Sequence, residues 1–170
     1  FYETFFSFLD QLPVPTYVVP GNMDAPERRF LKACPQNRLV HQSLAERPFT
    51  IAGFGGEIVE DQEEYTFVLQ YPRQKVMNIM ERFSDTSLEV LITHSPPVSE
   101  LSFEEGEERG SDVVNALIDL LNPEYLFCGH AHTMKGALWI ETTLAVNPGA
   151  LKYGNYAVVE GDSVEFGILV

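Results

Sequence analysis

Tyr125-Leu126-Phe127-Cys128-Gly129-His130-Ala131-His132 is the stretch on which the fold turns: a short apolar, β-prone run that ends at once in a polar cluster. The same pattern occurs twice more. Leu88–Ile92 runs into Thr93-His94-Ser95-Pro96-Pro97, and Thr16–Val19 runs into Pro20-Gly21-Asn22-Met23-Asp24. Short apolar runs bounded by turn residues read as buried strands. Helical patterns separate them. Pro26–Ala33 is a helix opened by proline. In Arg73–Phe83, Val76, Ile79, Met80 and Phe83 share one helical face. A third helix starts at Ser111 or Asp112, runs through Leu121 and halts at Asn122-Pro123. With a further strand over Phe49–Ala52, helices and strands alternate, which predicts an α/β chain.

From Ala137 onward the pattern is all-β. Ala137–Ile140, Thr143–Val146, Tyr156–Glu160 and Val164–Leu169 are strands joined by turn residues, an antiparallel meander. Two packed sheets with helices outside account for both halves. Ser95–Ser111 and Glu57–Glu64 carry clustered acids and read as exposed loops, the first near the mouth of any site built on His94. The opening helix, Phe1–Leu12, places large apolar residues on nearly all its faces. Such a helix needs cover on several sides, so the chain is expected to continue upstream.

The length of 170 residues suits a single domain over 1–170 with a core that needs no disulfide. Hydrophobic residues make up 45% and charged ones 21%, which excludes a disordered chain. With 25 acidic against 11 basic residues the formal net charge is −14. That balance argues against non-specific nucleic-acid binding, which depends on Lys and Arg displacing counterions. No apolar run approaches the roughly 20 residues of a membrane-spanning helix, and no basic amphipathic stretch suggests a membrane surface. Cys34 and Cys128 sit in apolar settings that suit a reducing compartment, and a cytoplasmic location is expected.

The three polar clusters carry the chemistry. Ligands in α/β sheets gather at the carboxyl ends of strands. If the three strands are parallel neighbours, Asn22, His94, His130 and His132 converge. In extended chain, residues two apart point the same way, so both imidazoles of His130-Ala131-His132 can face one site. Asp24 reads as the cap of the Pro26 helix. His41 lacks such a setting and reads as surface or core packing. No nucleophile elbow and no Gly-rich phosphate loop of the Walker type is present.

Gly21-Asn22-Met23-Asp24, Thr93-His94-Ser95-Pro96-Pro97, Gly129-His130-Ala131-His132 and Asn147-Pro148-Gly149-Ala150 together resemble the calcineurin-like metallophosphoesterases, closest to small members with Gly-Asn-x-Asp. The resemblance runs from Val18 to Ala150. It implies a four-layer α/β/β/α sandwich of two mixed sheets flanked by helices. It also implies two divalent metal ions (Mn, Fe, Zn or Ni, with Mn favoured). By that pattern Asn22, His94 and His130 ligate one ion and His132 the other, and together the ions activate a hydroxide against a small phosphodiester or phosphomonoester. Two departures stand out. The family's Asp-x-His and Gly-Asp strands do not occur before Asn22, so the sandwich lacks its first strands and some tens of residues are expected upstream. Met23 stands where many members have a histidine. A thioether cannot protonate a leaving group. Asp24 is the remaining candidate catalytic acid, and esters with good leaving groups should be preferred. The ligand-poor N-terminus leaves an alternative open, a non-catalytic protein-interaction scaffold on the same fold, as in a related retromer subunit. A homo-oligomer is compatible with the sequence.

Overall fold

Residues 2–61 and 67–169 are described by the computed structural model. The elements in chain order are α1 (Tyr2–Leu9), α2 (Glu27–Ala33), β1 (Ser43–Ala45), β2 (Ile51–Phe54), β3 (Glu57–Val59), β4 (Gln70–Pro72), α3 (Arg73–Met80), β5 (Val90–Thr93), β6 (Phe103–Glu104), β7 (Glu107–Glu108), α4 (Asp112–Leu121), β8 (Tyr125–Phe127), β9 (Gly136–Ile140), β10 (Thr143–Asn147), β11 (Asn155–Glu160) and β12 (Ser163–Ile168). Single 3₁₀ turns cover Asn22–Asp24, Glu81–Phe83 and Leu151–Tyr153.

A six-stranded sheet of order β1-β2-β5-β8-β10-β9 forms the centre. Its four inner strands are parallel, and the edge strands β1 and β9 run antiparallel to them. One face lies under α3 and α4. Val76, Met80, Val114, Leu117 and Ile118 meet Ala52, Leu91, Leu126 and Ala145 there, all at 2% exposure or less. Burial of that extent removes about 2 kcal/mol of apolar exposure per large side chain, which makes this cluster the main stabilising core. Alternation along the strands puts Ile92, Tyr125 and Phe127 on the opposite face, with Val40, Ile51 and Val90. The hairpin β11–β12 faces this side across a groove of about 590 Å³, lined by Phe49, Ile92, Tyr125, Phe127 and Val159 among others. The fold is a mixed α/β arrangement with a central mixed sheet flanked by helices, as expected. Among the described residues three two-stranded sheets accompany that sheet.

Several expectations shift at their edges. Thr16–Val19 is not a strand. Only Val18 bridges, parallel to Leu39, its N–H donating to Arg38 O (2.9 Å) and its carbonyl accepting from Val40 N (3.1 Å); Pro15 and Pro20 bound the run on either side. The strand expected at Phe49–Ala52 lies at Ile51–Phe54, set by its pairing of Ile51 with Val90. The expected helix over Arg73–Phe83 finishes as a 3₁₀ turn from Glu81. Asp24 does not cap α2, whose N-cap is Pro26. The acidic segment Ser95–Ser111 is not wholly exposed. Ser95, Pro96, Pro97, Leu101, Ser102 and Ser111 are buried, since Ser111 donates its N–H to Pro96 O (2.9 Å) and Leu101 joins the core. Val98, Glu100 and the β6–β7 tip are its exposed parts. Of the other acidic stretch, Glu57–Val59 pairs in parallel with β4, and Gln62–Glu64 fall outside the described residues. In the opening helix Phe6 is buried against Phe30 and Cys34, whereas Phe8 is 58% exposed.

Candidate functional site

The carboxyl ends of β5 and β8 lie side by side, because the ladder continues past both. His94 N donates to Phe54 O (3.1 Å), Gly129 N to His94 O (3.1 Å) and Cys128 N to Val146 O (3.0 Å). The chain therefore delivers His94 and His130 to the same edge. The turn at Gly21–Asp24 arrives from the side. Asp24 closes it, its Oδ2 accepting from Gly21 N (2.7 Å) and its Oδ1 from Tyr2 O–H (2.6 Å). Leu69 N donates to Asn22 O (2.6 Å) and holds the turn against β4. Gly21 is needed for the approach, since a Cβ there would lie 3.1 Å from His94 Cε1.

Three donors meet as a result. His94 Nε2 lies 3.1 Å from Asn22 Oδ1 and 3.2 Å from His130 Nδ1. Two ligands held at about 2.1 Å from one ion lie about 3.0 Å apart at a right angle and about 3.4 Å apart at a tetrahedral one. Both observed separations fall in that interval. An amide oxygen with two imidazoles also suits a borderline divalent ion. Burial, and after it the neighbouring His130 and His132, push the pKa of His94 down to about 3. Burial also lowers that of His130, against the opposing pull of Glu57 and Glu104. Both rings are neutral at pH 7, and a neutral ring keeps a lone pair for a metal. Two of the three separations among these residues are those of ligands sharing one ion.

His132 is placed differently. His130 has φ 66, in the left-handed region, so the chain is not extended there and the two imidazoles do not point alike. His132 Nδ1 instead lies 3.0 Å from Lys152 Nζ. An ammonium only donates, so Nδ1 accepts and the proton of a neutral ring sits on Nε2. A metal could take either nitrogen only after that contact rearranges. Among the described residues no group of three or more His, Cys, Asp and Glu side chains is poised for a metal, so a second ion finds no assembled ligand set.

A residue without an assigned role in the sequence reading holds the frame together. Asn147, fully buried at the end of β10, directs Nδ2 at Ala131 O (3.1 Å), Gly129 O (3.4 Å) and Leu101 O (3.4 Å). Its Oδ1 accepts from Gly149 N (3.0 Å), where φ is +79. The side chain thus braces the left-handed His130 from both sides and ties it to the next loop. Like the other clusters it directly follows an apolar strand, and that signal could have found it. Glu104 is the second such residue. From the β6–β7 tip its Oε1 accepts from Thr133 N (3.0 Å), pinning the tip onto the histidine loop.

The remaining titratable candidates are spoken for. His41 is buried, its Nδ1 accepting from Gly55 N (2.8 Å) and its Nε2 facing Glu27 Oε1 (3.0 Å), so it is core packing. Cys34 and Cys128 are free and buried, and burial raises their thiols to about 11 and about 12.

The family model described as "Metallophosphoesterase, calcineurin superfamily" matches residues 1–168. Among solved structures, one crystal structure superposes with a TM-score of 0.87 at 34% identity, over 98% of this chain and 70% of its own. The crystal structure of TT1561 of Thermus thermophilus superposes with a TM-score of 0.78 at 27% identity, over 98% of this chain and 78% of its own. No curated protein matches. Among the described residues no helix is long and apolar enough to cross a membrane.

Proposed function

The chain belongs to the calcineurin superfamily of metallophosphoesterases, and from that premise we propose that it hydrolyses small phosphoesters with a metal held by Asn22, His94 and His130. The observation that carries this reading is the meeting of three neutral donors at the carboxyl edge of the parallel strands, 3.1 and 3.2 Å apart. A divalent ion there supplies Lewis-acid polarisation of a phosphoryl oxygen and an acidified water. Manganese is the first ion to try. The two-ion arrangement of the family would add His132, once its ring is released by Lys152.

The protein's own groups set the rest. His94 stays neutral because it is buried, so protons do not compete for its lone pair near pH 7. Asn22 is oriented through its turn, and Asp24 enters as the residue that fixes this turn. Both of its oxygens already accept hydrogen bonds, from Gly21 N and Tyr2 O–H, and so are engaged in holding the turn. Met23, 75% exposed beside Asn22, offers no proton to a departing alkoxide. General-acid help is worth roughly 10²- to 10⁴-fold, so leaving groups that need no protonation should react best. Aryl phosphodiesters are the preferred substrate class. The net charge of −14 repels long polyanions and favours small esters. Unpaired Cys34 and Cys128 support a reducing, cytoplasmic setting.

The test is turnover of bis(4-nitrophenyl) phosphate by manganese-loaded protein, set against 4-nitrophenyl phosphate and an alkyl monoester. We expect chelator-sensitive hydrolysis in that order of preference, lost in His94→Ala. Turnover of none of the three, with the metal demonstrably bound, would refute the proposal.

A further inference from the structure

We propose that Lys152, which contacts His132 at the end of the His130 loop, is the cation that receives the substrate's phosphoryl oxygens. The assignment rests on the phosphoesterase reading and adds to it the group that binds the anion.

The position of Lys152 is built, not incidental. It sits in the 3₁₀ turn Leu151–Tyr153, which Ala150 ties to the histidine loop by donating its N–H to His132 O (3.1 Å). Gly154, with φ +79, ends the turn and donates to Leu151 O (2.8 Å). Through Asn147 the same segment is joined to Gly129 and Ala131. The base of the lysine therefore moves with the loop that carries His130. Its ammonium lies 4.9 Å from the centre of the Tyr153 ring and 3.0 Å from His132 Nδ1.

Charge distinguishes it further. An anionic ester approaching a protein of net charge −14 needs a local cation that is not already neutralised. The other cation whose charge reaches the histidine loop, Arg109, is paired with Glu107. Among the described residues no carboxylate pairs with Lys152. The ammonium has three protons, and one is directed at His132. Two remain for phosphoryl oxygens. A compact ammonium on a flexible stem suits a tetrahedral oxyanion without requiring the planar match of a guanidinium.

The experiment uses manganese-loaded protein with inorganic phosphate as the probe, titrated calorimetrically at low and moderate salt. The parent is compared with Lys152→Gln and Lys152→Arg, with metal content, thermal midpoint and hydrolysis of bis(4-nitrophenyl) phosphate recorded for each. Loss of one charge-assisted bond predicts phosphate binding weaker by about 10- to 100-fold in Lys152→Gln. Lys152→Arg should recover most of it, and the salt dependence of binding should flatten in Lys152→Gln. The thermal midpoint should not change, because the side chain is exposed, and metal content should not fall; a structural role would lower both. Equal phosphate constants in the parent and Lys152→Gln, with the parent active, would overturn the Lys152 assignment alone. A parent that neither binds phosphate nor hydrolyses the ester would overturn the phosphoesterase reading, and this assignment with it.

Discussion

Removing the side chain of Asn147 should loosen the histidine loop without touching a single metal donor. In Asn147→Ala the amide disappears from a fully buried position. Its Nδ2 faces three carbonyls, Ala131 O at 3.1 Å and Gly129 O and Leu101 O at 3.4 Å, but has only two protons to give. The loss therefore amounts to two donated bonds and the one accepted from Gly149 N. Each buried polar group left without a partner costs about 1–3 kcal/mol. A water entering the vacated space would satisfy part of this. The net cost is about 3 kcal/mol, and in a chain of this size that lowers the melting temperature by about 6–12 °C. A second effect is specific to the site. His130 holds φ 66, a left-handed conformation that costs a non-glycine residue of order 1–3 kcal/mol and persists only when its surroundings enforce it. Without the brace His130 relaxes, and metal affinity should fall by roughly 10- to 100-fold, as when the groups that orient metal ligands are lost. Urea denaturation of the metal-free protein and calorimetric titration of manganese read the two effects separately. A variant within about 0.5 kcal/mol of the parent, with unchanged metal affinity, would refute the idea that Asn147 enforces the loop.

Other outcomes follow from the same contacts. His94, with a folded pKa of about 3 against about 6.5 when unfolded, contributes stability that is full above pH 6.5 and is lost as pH falls toward 3; at pH 5 the loss is about 2 kcal/mol. The stability of His94→Gln should depend less on pH over pH 5–7.5 by urea titration, and an equal acid loss in both proteins would count against a buried neutral His94. Gly21→Ala places a Cβ 3.1 Å from His94 Cε1, so His94 must yield by a few tenths of an ångström. Metal affinity should drop while the melting temperature changes by no more than a few degrees, and unchanged affinity would show that the close approach does not matter. Met23→His restores a proton donor at an exposed position beside Asn22, so activity on alkyl monoesters should rise relative to aryl diesters. An unaltered ratio of the two would remove the argument from the leaving group.

Much of the framework was legible because it is written locally. Leu91, Leu126 and the apolar run of β10 announce strands by composition, and Asn122-Pro123 stops α4 where the sequence says it must, with Asn122 at φ 43. The buried stem of the Ser95–Ser111 segment was not legible. Its serines and prolines look solvent-facing, but Pro97 bridges to Ser111 and Leu101 reaches the core, contacts that no neighbour in sequence foretells. The run Thr16–Val19 failed for the converse reason: its β-branched residues suggest a strand, but a ladder needs partners, and the flanking prolines leave only the Val18 bridge.

The same division holds at the site. Sequence alone pointed to the side chains that follow apolar runs, and so to the chemical types on offer: one amide and three imidazoles. That much depends only on apolar runs giving way to turns. Tertiary structure decided which of them meet. Asn22 reaches His94 across 72 positions through a turn held by Leu69 and Gly56, and His94 reaches His130 across 36 through the parallel pairing of β5 with β8; no local preference closes either distance. His132, only two residues from His130, turns instead to Lys152, because one left-handed residue cancels the alternation that extended chain would impose. Backbone torsion at a single half-buried, braced position depends on what surrounds it, and those surroundings exist only once the chain has folded.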